Sequence, residues 1–283
     1  MEQYSLDQLA ARIRARLPEL REAEARVAEV LLSQGARLVY LSVNDVAALA
    51  GTAQSTVVRA CQRLGFHGYQ EVKIEAVGQR SIGSRRPPDA SEDVISRALT
   101  QTIDAAVEAL TGMPATLAVA DLRTAAERID GASRILLAAT GLSGATAVDA
   151  AYRLRALGLP VDLPPDPLTA QLAADLLPEH AVCLAISHSG ATRSTVDTAR
   201  RARDRGATVV TVTSYARSPL TEASACVLVA GGQDLVFGLE AVASRLAHFT
   251  VIDALTLALR SIRGATADHA LSVSAEVTAA HSY

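Results

Sequence analysis

The chain has 283 residues, 49% of them hydrophobic and 20% charged, with a formal net charge of −3. That is enough chain for roughly two domains with real cores, and it carries no global basic field, so any surface for nucleic acid has to be local. No apolar run reaches the roughly 18 residues of a membrane span and the polar start MEQYSLDQ is not a signal peptide, which leaves a cytoplasmic protein with no membrane partner as the expectation.

Three widely spaced cysteines, Cys61, Cys183 and Cys226, lie in apolar helix or strand patterns and read as small core residues. The six histidines show no H-x-x-x-H or H-E-x-x-H spacing, so neither a metal nor a cofactor is expected.

From 19 to 33 the residues Ala23, Val27, Val30 and Leu31 recur at helical spacing, which predicts an amphipathic helix. Ser42 opens another: Asp45 stands three residues on as a capping-box variant, VAALA continues it and Gly51 ends it. A third helix, 54–64, follows after so short a turn that a tight helix-turn-helix is the expected form. At about 100° per residue, Val57, Cys61 and Leu64 fall on one face and Ser55, Thr56, Arg59, Gln62 and Arg63 on the other. The polar face has the chemistry of DNA contact: Arg forks onto guanine, Gln pairs with adenine, and Ser or Thr reaches phosphates. A merely solvated helix face is the alternative. Between Gly51 and Arg86 six cationic side chains stand against two acidic ones, a net +4 within an acidic protein, which favours DNA.

The stretch LSVNDVAALAGTAQSTVVRACQRLGFHGYQEVK resembles the N-terminal helix-turn-helix domain of the RpiR family of bacterial transcriptional regulators. The family signatures T-V-x-R, L-G-F and G-x-x-x-x-K stand here as Thr56 to Arg59, Leu64 to Phe66, and Gly68 with Lys73. The resemblance implies double-stranded operator DNA as partner, with Gln54, Ser55, Thr56, Arg59, Arg63 and Lys73 as candidate contacts. The family commonly has Ser where Ala53 stands as the cap of the recognition helix, so capping is expected to pass to Thr52.

SIGSRRPPDA at 81–90 has the composition of a linker. The expected boundaries are 1–80 for the helix-turn-helix domain, 81–115 for the linker and a connecting helix, 116–265 for a second domain and 266–283 for a helical tail. Ser91 is expected to cap the connecting helix, whose Val94, Ile95, Ala98, Leu99, Thr102 and Ile103 keep helical spacing to about Leu110. A further helix, 117–129, leads into a sheet. In regulators of this resemblance such helices join the reading head to a sensor, and their apolar faces also suit a partner chain.

Residues 133–139 read as a buried strand, followed by T-G-L-S-G and a helix closed by Gly158. Gly141-x-Ser143-x-Ala145 approximates a nucleophile elbow, with Asp253 and His269 in the required chain order. The other reading is a Gly/Ser loop at the carboxyl end of a parallel strand, where open α/β sheets bind ligands. Residues 181–186 are an unbroken apolar run, as in a central strand buried on both faces. It breaks into Ser187, Ser189, Gly190 and Thr192, and then a helix with Val196, Ala199 and Ala202 in register, stopped by Gly206. Gly190 permits close backbone approach, the new helix offers unpaired N–H groups and the hydroxyls add donors, an arrangement suited to a phosphate ester. Simple helix capping is the alternative use of these hydroxyls.

This S-x-S-G-x-T pattern, followed by RARDRGATVVTVTS and by SPL at 218–220, resembles the sugar isomerase (SIS) fold family, in which the loop holds the phosphate of a phosphosugar. Strands at 207–213 and 225–230 and a short helix at 168–177 complete an α/β alternation with a parallel sheet. A long helix from about Leu239 to Arg263 carries Glu240, Ser244 and His248 on one face, and the tail from 265 reads as another helix. In SIS isomerases a Glu and a His assist ring opening and proton transfer between sugar carbons.

Together the two resemblances imply a small all-α helix-turn-helix domain followed by an α/β SIS domain with a parallel sheet flanked by helices. The implied protein is a non-enzymatic transcriptional regulator that senses a phosphorylated sugar or related carbohydrate metabolite as a homodimer or homotetramer. Ser143, Ser187, Ser189, Gly190, Thr192 and Glu240 are the candidate ligand contacts. A phosphosugar isomerase with an accessory helical domain is the alternative, and a regulator that binds a sugar without phosphate is a third reading.

Overall fold

The computed structural model describes residues 9–10, 12–35, 38, 41–80, 93–231 and 242–281. The expected linker, Ser91 and Glu240 lie outside the described residues. The chain forms two compact units, one reaching to Gln101 and one beginning at Thr102.

The first unit is helical: α1 (Glu22–Gln34), α2 (Val43–Leu49), α3 (Gln54–Arg63) and α4 (Tyr69–Arg80). The apolar face read for the third helix is the one that packs, since Val57, Cys61 and Leu64 join Val27, Leu31 and Val46 in one buried cluster. Helix α4 was not anticipated. Phe66, Tyr69, Val72 and Ala76 bury its inner face, and the Tyr69 hydroxyl reaches the Leu38 and Leu41 carbonyls at 3.1 Å each. At the start of α2, Ser42 Oγ accepts from the Asp45 N–H at 3.2 Å while the Asp45 carboxylate accepts from the Ser42 N–H at 2.7 Å, the reciprocal box expected. The expected cap on α3 is not formed. Ala53 is the N-cap residue and offers no side-chain bond, and Thr52 Oγ1 has no hydrogen-bond partner among the described residues.

The L-G-F signature has a local cause. Leu64 is the C-cap of α3, the Gly65 N–H donates to the Gln62 carbonyl at 3.0 Å and the Phe66 N–H to the Cys61 carbonyl at 3.0 Å. These two bonds are a Schellman closure, which needs a left-handed residue between the cap and the following apolar anchor. Gly65 supplies it with φ +89°.

Helix α5 (Val94–Gly112) is capped by Asp93, whose carboxylate accepts from the Ile95 and Ser96 N–H groups at 3.2 and 3.3 Å. Among the described residues this is the cap in place of the one expected from Ser91. Ile95, Leu99 and Ile103 are 74%, 63% and 52% exposed, so an apolar stripe runs uncovered along this helix.

The second unit holds α6 (Val119–Asp130), β1 (Ile135–Ala138), α7 (Ser143–Ala156), β2 (Val161–Asp162), α8 (Pro167–Asp175), β3 (Val182–Ile186), α9 (Arg193–Asp204), β4 (Thr208–Thr213), β5 (Cys226–Val229), α10 (Val242–Arg263) and α11 (Ala265–Ala280). The strands form one parallel sheet in the order β2-β1-β3-β4-β5. Strand β2, two residues long, is too short to leave a sequence signal. The order places β1 and β3 side by side while their onward connections run to opposite edges, which opens a crevice at their carboxyl ends. Every residue of β1 and β3 is buried, as the unbroken apolar runs required. Arg263 closes the far end of α10, reaching the Asp130 carboxylate at 2.6 Å and the Leu157 carbonyl at 3.1 Å.

Replacing Gly65 with Ala should destabilise the helical unit by about 1 to 2 kcal/mol, the cost of holding a Cβ-bearing residue in the left-handed region. Urea unfolding of the full chain, followed in that unit by hydrogen exchange of the α3 amides, measures it.

Candidate functional site

On α3 the side chains of Gln54, Ser55, Arg59, Gln62 and Arg63 are exposed and Thr56 is half-buried, so the polar face stays outward once the unit packs. Because Ala53 caps nothing, the first N–H groups of α3 remain open at the same end. Arg59 lies along its own helix, donating to the Ser55 carbonyl at 3.2 Å. Arg63 is drawn back toward α1 by the buried Glu24 carboxylate at 3.3 Å. Lys73 does not belong to this face. It is 6% exposed, so the phosphate contact expected of it would need the side chain to emerge from where it is buried.

In the second unit, the loops after β1 and β3 come together at the carboxyl edge of the sheet. Ser143 opens α7 and Thr192 precedes α9, yet neither helix has a side-chain cap bond at its N-terminus. Helix α8 is the contrast, fully capped by Asp166. The hydroxyls of the β3 loop therefore do something other than capping. Ser187 Oγ is buried and shapes the loop, taking the Gly190 N–H at 3.2 Å and meeting Thr192 Oγ1 at 3.2 Å. Ser189 is half-buried and Thr192 exposed, with Ser189 Oγ accepting the Ala191 N–H at 3.2 Å. Across the crevice Thr140 Oγ1 meets Ser194 Oγ at 3.2 Å, which ties the β1 loop to the first turn of α9.

Gly190 is required here for a reason other than ligand approach. Its φ is +60°, and a Cβ built on it would stand 2.6 Å from Ser218 Cβ and 3.2 Å from Thr213 Oγ1. The SPL turn, whose Leu220 N–H donates to the Gly190 carbonyl at 3.0 Å, is docked against the loop through this gap.

A polar chain, buried only at His248, links the β3 loop to the strands beside it. His188 Nδ1 lies 2.9 Å from Ser214 Oγ, which lies 3.1 Å from His248 Nε2, itself 3.0 Å from the Ala230 carbonyl. The carbonyl can only accept, so His248 Nε2 carries the proton and shares it with Ser214 Oγ. Burial first, and the neighbouring His188 second, push the His248 imidazole down to about 4. The nucleophile-elbow reading of Ser143 fails on its partners, because Asp253 pairs with Arg153 at 2.9 Å instead of His269. Burial lifts the Cys61 and Cys183 thiols to about 12, so both are inert core groups. Among the described residues no His, Cys, Asp and Glu side chains cluster closely enough to hold a metal, and no single helix is long and apolar enough to cross a membrane.

Comparison with known proteins assigns both units. Residues 7–81 match the helix-turn-helix domain of the rpiR family and residues 128–258 match the SIS domain. An uncharacterized HTH-type transcriptional regulator of Caldanaerobacter subterraneus subsp. tengcongensis is 30% identical over 235 residues, covering 82% of this chain and 83% of that protein. The chain belongs to the RpiR family of transcriptional regulators. Another relative, the HTH-type transcriptional regulator HexR of Pseudomonas aeruginosa, is 30% identical over 261 residues, 90% of each protein. The structure of Vibrio vulnificus NanR complexed with ManNAc-6P has the same fold, with a TM-score of 0.79 at 24% identity over 97% of this chain and 99% of that one.

Two features of this RpiR regulator escaped sequence reading: the His188–Ser214–His248 chain and the Thr140–Ser194 tie. His188 sits inside the recognised loop motif but between its signature positions, and Ser214 gains meaning only when β4 is laid beside β3. Gly190→Ala should cost at least about 2 kcal/mol, since left-handed strain and a core clash add. Adding Ser218→Gly should recover part of that loss in a double-mutant cycle read by thermal unfolding.

The depressed His248 imidazole also sets a pH dependence. With an ordinary value of 6.5 and a folded value of about 4, its contribution is fully present above about pH 6.5 and is lost as pH falls toward 4, by roughly 3 kcal/mol at most. Urea unfolding at about pH 7 and about pH 4.5 should show this fall, and His248→Gln should reduce it.

Proposed function

We propose that this regulator senses a phosphorylated sugar in its SIS unit and reads operator DNA with α3, acting in the cytoplasm as a homodimer or homotetramer without turnover. The observation that carries the sensor reading is the pair of uncapped helix N-termini, α7 and α9, each entered from a hydroxyl-bearing loop at the same edge of the sheet. Open N–H groups, the positive ends of two helix dipoles and the hydroxyls of Ser143, Ser189 and Thr192 make a site for a phosphate dianion, with Ser187 and Gly190 holding the loop in shape. Glu240 remains a proposed contact on the sequence resemblance alone. That NanR was crystallised with a sugar phosphate is consistent with the assignment.

For DNA, Arg59 and Gln62 are the proposed base-reading side chains, with the open N-terminus of α3 at Gln54 and Ser55 set for a backbone phosphate. Arg63 contributes after release from Glu24. A single recognition helix reads too few base pairs for specificity, so a two-fold assembly on paired half-sites follows. The uncovered Ile95, Leu99 and Ile103 stripe on α5 is the surface that a second copy would bury. The proposed domain limits are 1–80 for the head, 81–115 for the connection, 116–265 for the sensor and 266–283 for the tail.

The test uses an operator selected by the protein from random duplexes. Arg59→Ala should weaken that operator about 5- to 150-fold, equivalent to about 1 to 3 kcal/mol, and relax its sequence preference. Ser189→Ala should leave ligand-free operator affinity unchanged and weaken the response to an active phosphosugar. Conversion of aldose phosphates into ketose phosphates by the purified protein would instead support the isomerase reading.

A further inference from the structure

A cavity of about 540 Å³ adjoins the β1 loop and the first turn of α9. One wall is the start of α7, with Gly144, Ala147 and Val148, and the opposite wall is the first turn of α9, with Ser194, Thr195 and Thr198. Its rim is the segment after β2, Leu163-Pro164-Pro165-Asp166-Pro167. The volume is that of a small-molecule site. Since Thr140 and Gly141 of the β1 loop and Ser194 at the head of α9 all line it, a molecule whose phosphate sits on the loops has this space beside it.

The lining is chemically one-sided. Most of the described lining is Leu, Val, Ala and Pro, and apart from Asp166 its polar side chains are hydroxyls. Thr140 Oγ1 contacts both Ser194 Oγ and Thr195 Oγ1, at 3.2 and 3.4 Å, while Thr198 donates to the Ser194 carbonyl at 2.9 Å. Among the described residues no Lys, Arg or His lines it. Asp166, the one ionisable residue in the described lining, is an acid at the rim, and its carboxylate already accepts from the Leu168 N–H at 2.9 Å, the Thr169 N–H at 3.0 Å and the Thr169 hydroxyl at 2.6 Å. A carboxylate carried into this space would lose its water, find no cation in the described lining and face the Asp166 charge. Sugar hydroxyls, in contrast, can exchange water for Thr140, Ser194 and Thr195, and the C–H face of a sugar can lie on the proline wall.

We infer that this cavity takes the carbon skeleton of the effector and selects an uncharged sugar phosphate against a sugar-acid phosphate. The inference rests on the phosphosugar reading of the loops, and names the substrate class that the reading leaves open.

Calorimetric titration of the full-length protein with glucose 6-phosphate, fructose 6-phosphate, N-acetylglucosamine 6-phosphate and N-acetylmannosamine 6-phosphate, set against 6-phosphogluconate and 2-keto-3-deoxy-6-phosphogluconate, tests it. The tightest uncharged sugar phosphate should bind at least tenfold more tightly than either acid. An acid that binds as tightly as the best uncharged sugar, or more tightly, would overturn the inference and leave the phosphosugar reading standing. Absence of binding by all six would overturn both. A second arm separates the two further: Ser189→Ala should weaken acids and uncharged sugars alike, whereas Leu163→Lys, which sets an ammonium at the rim, should improve 6-phosphogluconate relative to the uncharged sugars at least fivefold. No change in that ratio, with Leu163→Lys folded by thermal unfolding, would also overturn it.

Discussion

Strand β3 is buried on both faces, between β1 and β4 in the sheet and under α9, and this confinement governs the sensor unit. A strand that cannot face water on either side has to be apolar through its whole length, so polar chemistry begins only where it stops. At that point the chain has to turn under the SPL segment, and Gly190 is the residue that fits. Without a left-handed glycine against Ser218, the loop could not present Ser189 and Thr192 at the edge of the sheet while keeping Ser187 inside.

The parallel arrangement multiplies this effect. Each strand delivers its loop to the same edge, so hydroxyls far apart in sequence meet there: Thr140 with Ser194, and His188 with Ser214 and His248. The second set is directional in its hydrogen bonding and runs from the half-buried His188 and Ser214 to the buried His248. It fixes the β3 loop to the ends of β4 and β5 and to α10, which gives the loop a rigid floor on one side. The other side opens into the cavity bounded by α7, α8 and α9.

The helical unit follows a different logic, in which local closure does most of the positioning. The Ser42–Asp45 box starts α2 and the Schellman closure at Gly65 ends α3, so local bonds fix where the first of these helices begins and where the second stops. The N-terminus of α3 has no side-chain cap, so its first N–H groups stay open.

The sequence by itself determined the two-unit organisation, the helix-turn-helix, the α/β alternation and the S-x-S-G-x-T loop. These depend on signals carried by near neighbours: helical spacing at Val57, Cys61 and Leu64, an apolar run at 181–186, and capping and turn residues a few positions apart. Tertiary structure decided what each of those residues faces. Lys73 and Arg59 are both cations in the basic segment, but packing of α4 buried one and left the other outside. Gly190 read as an approach point for a ligand, and the packed structure adds that Ser218 leaves no room there for a Cβ, while Ser143 found no triad because Asp253 is held by Arg153. The polar chain and the uncharged cavity were illegible for the same reason. Each is built from residues on separate strands and helices, and their meeting depends on strand order and crossover direction, which no local spacing encodes.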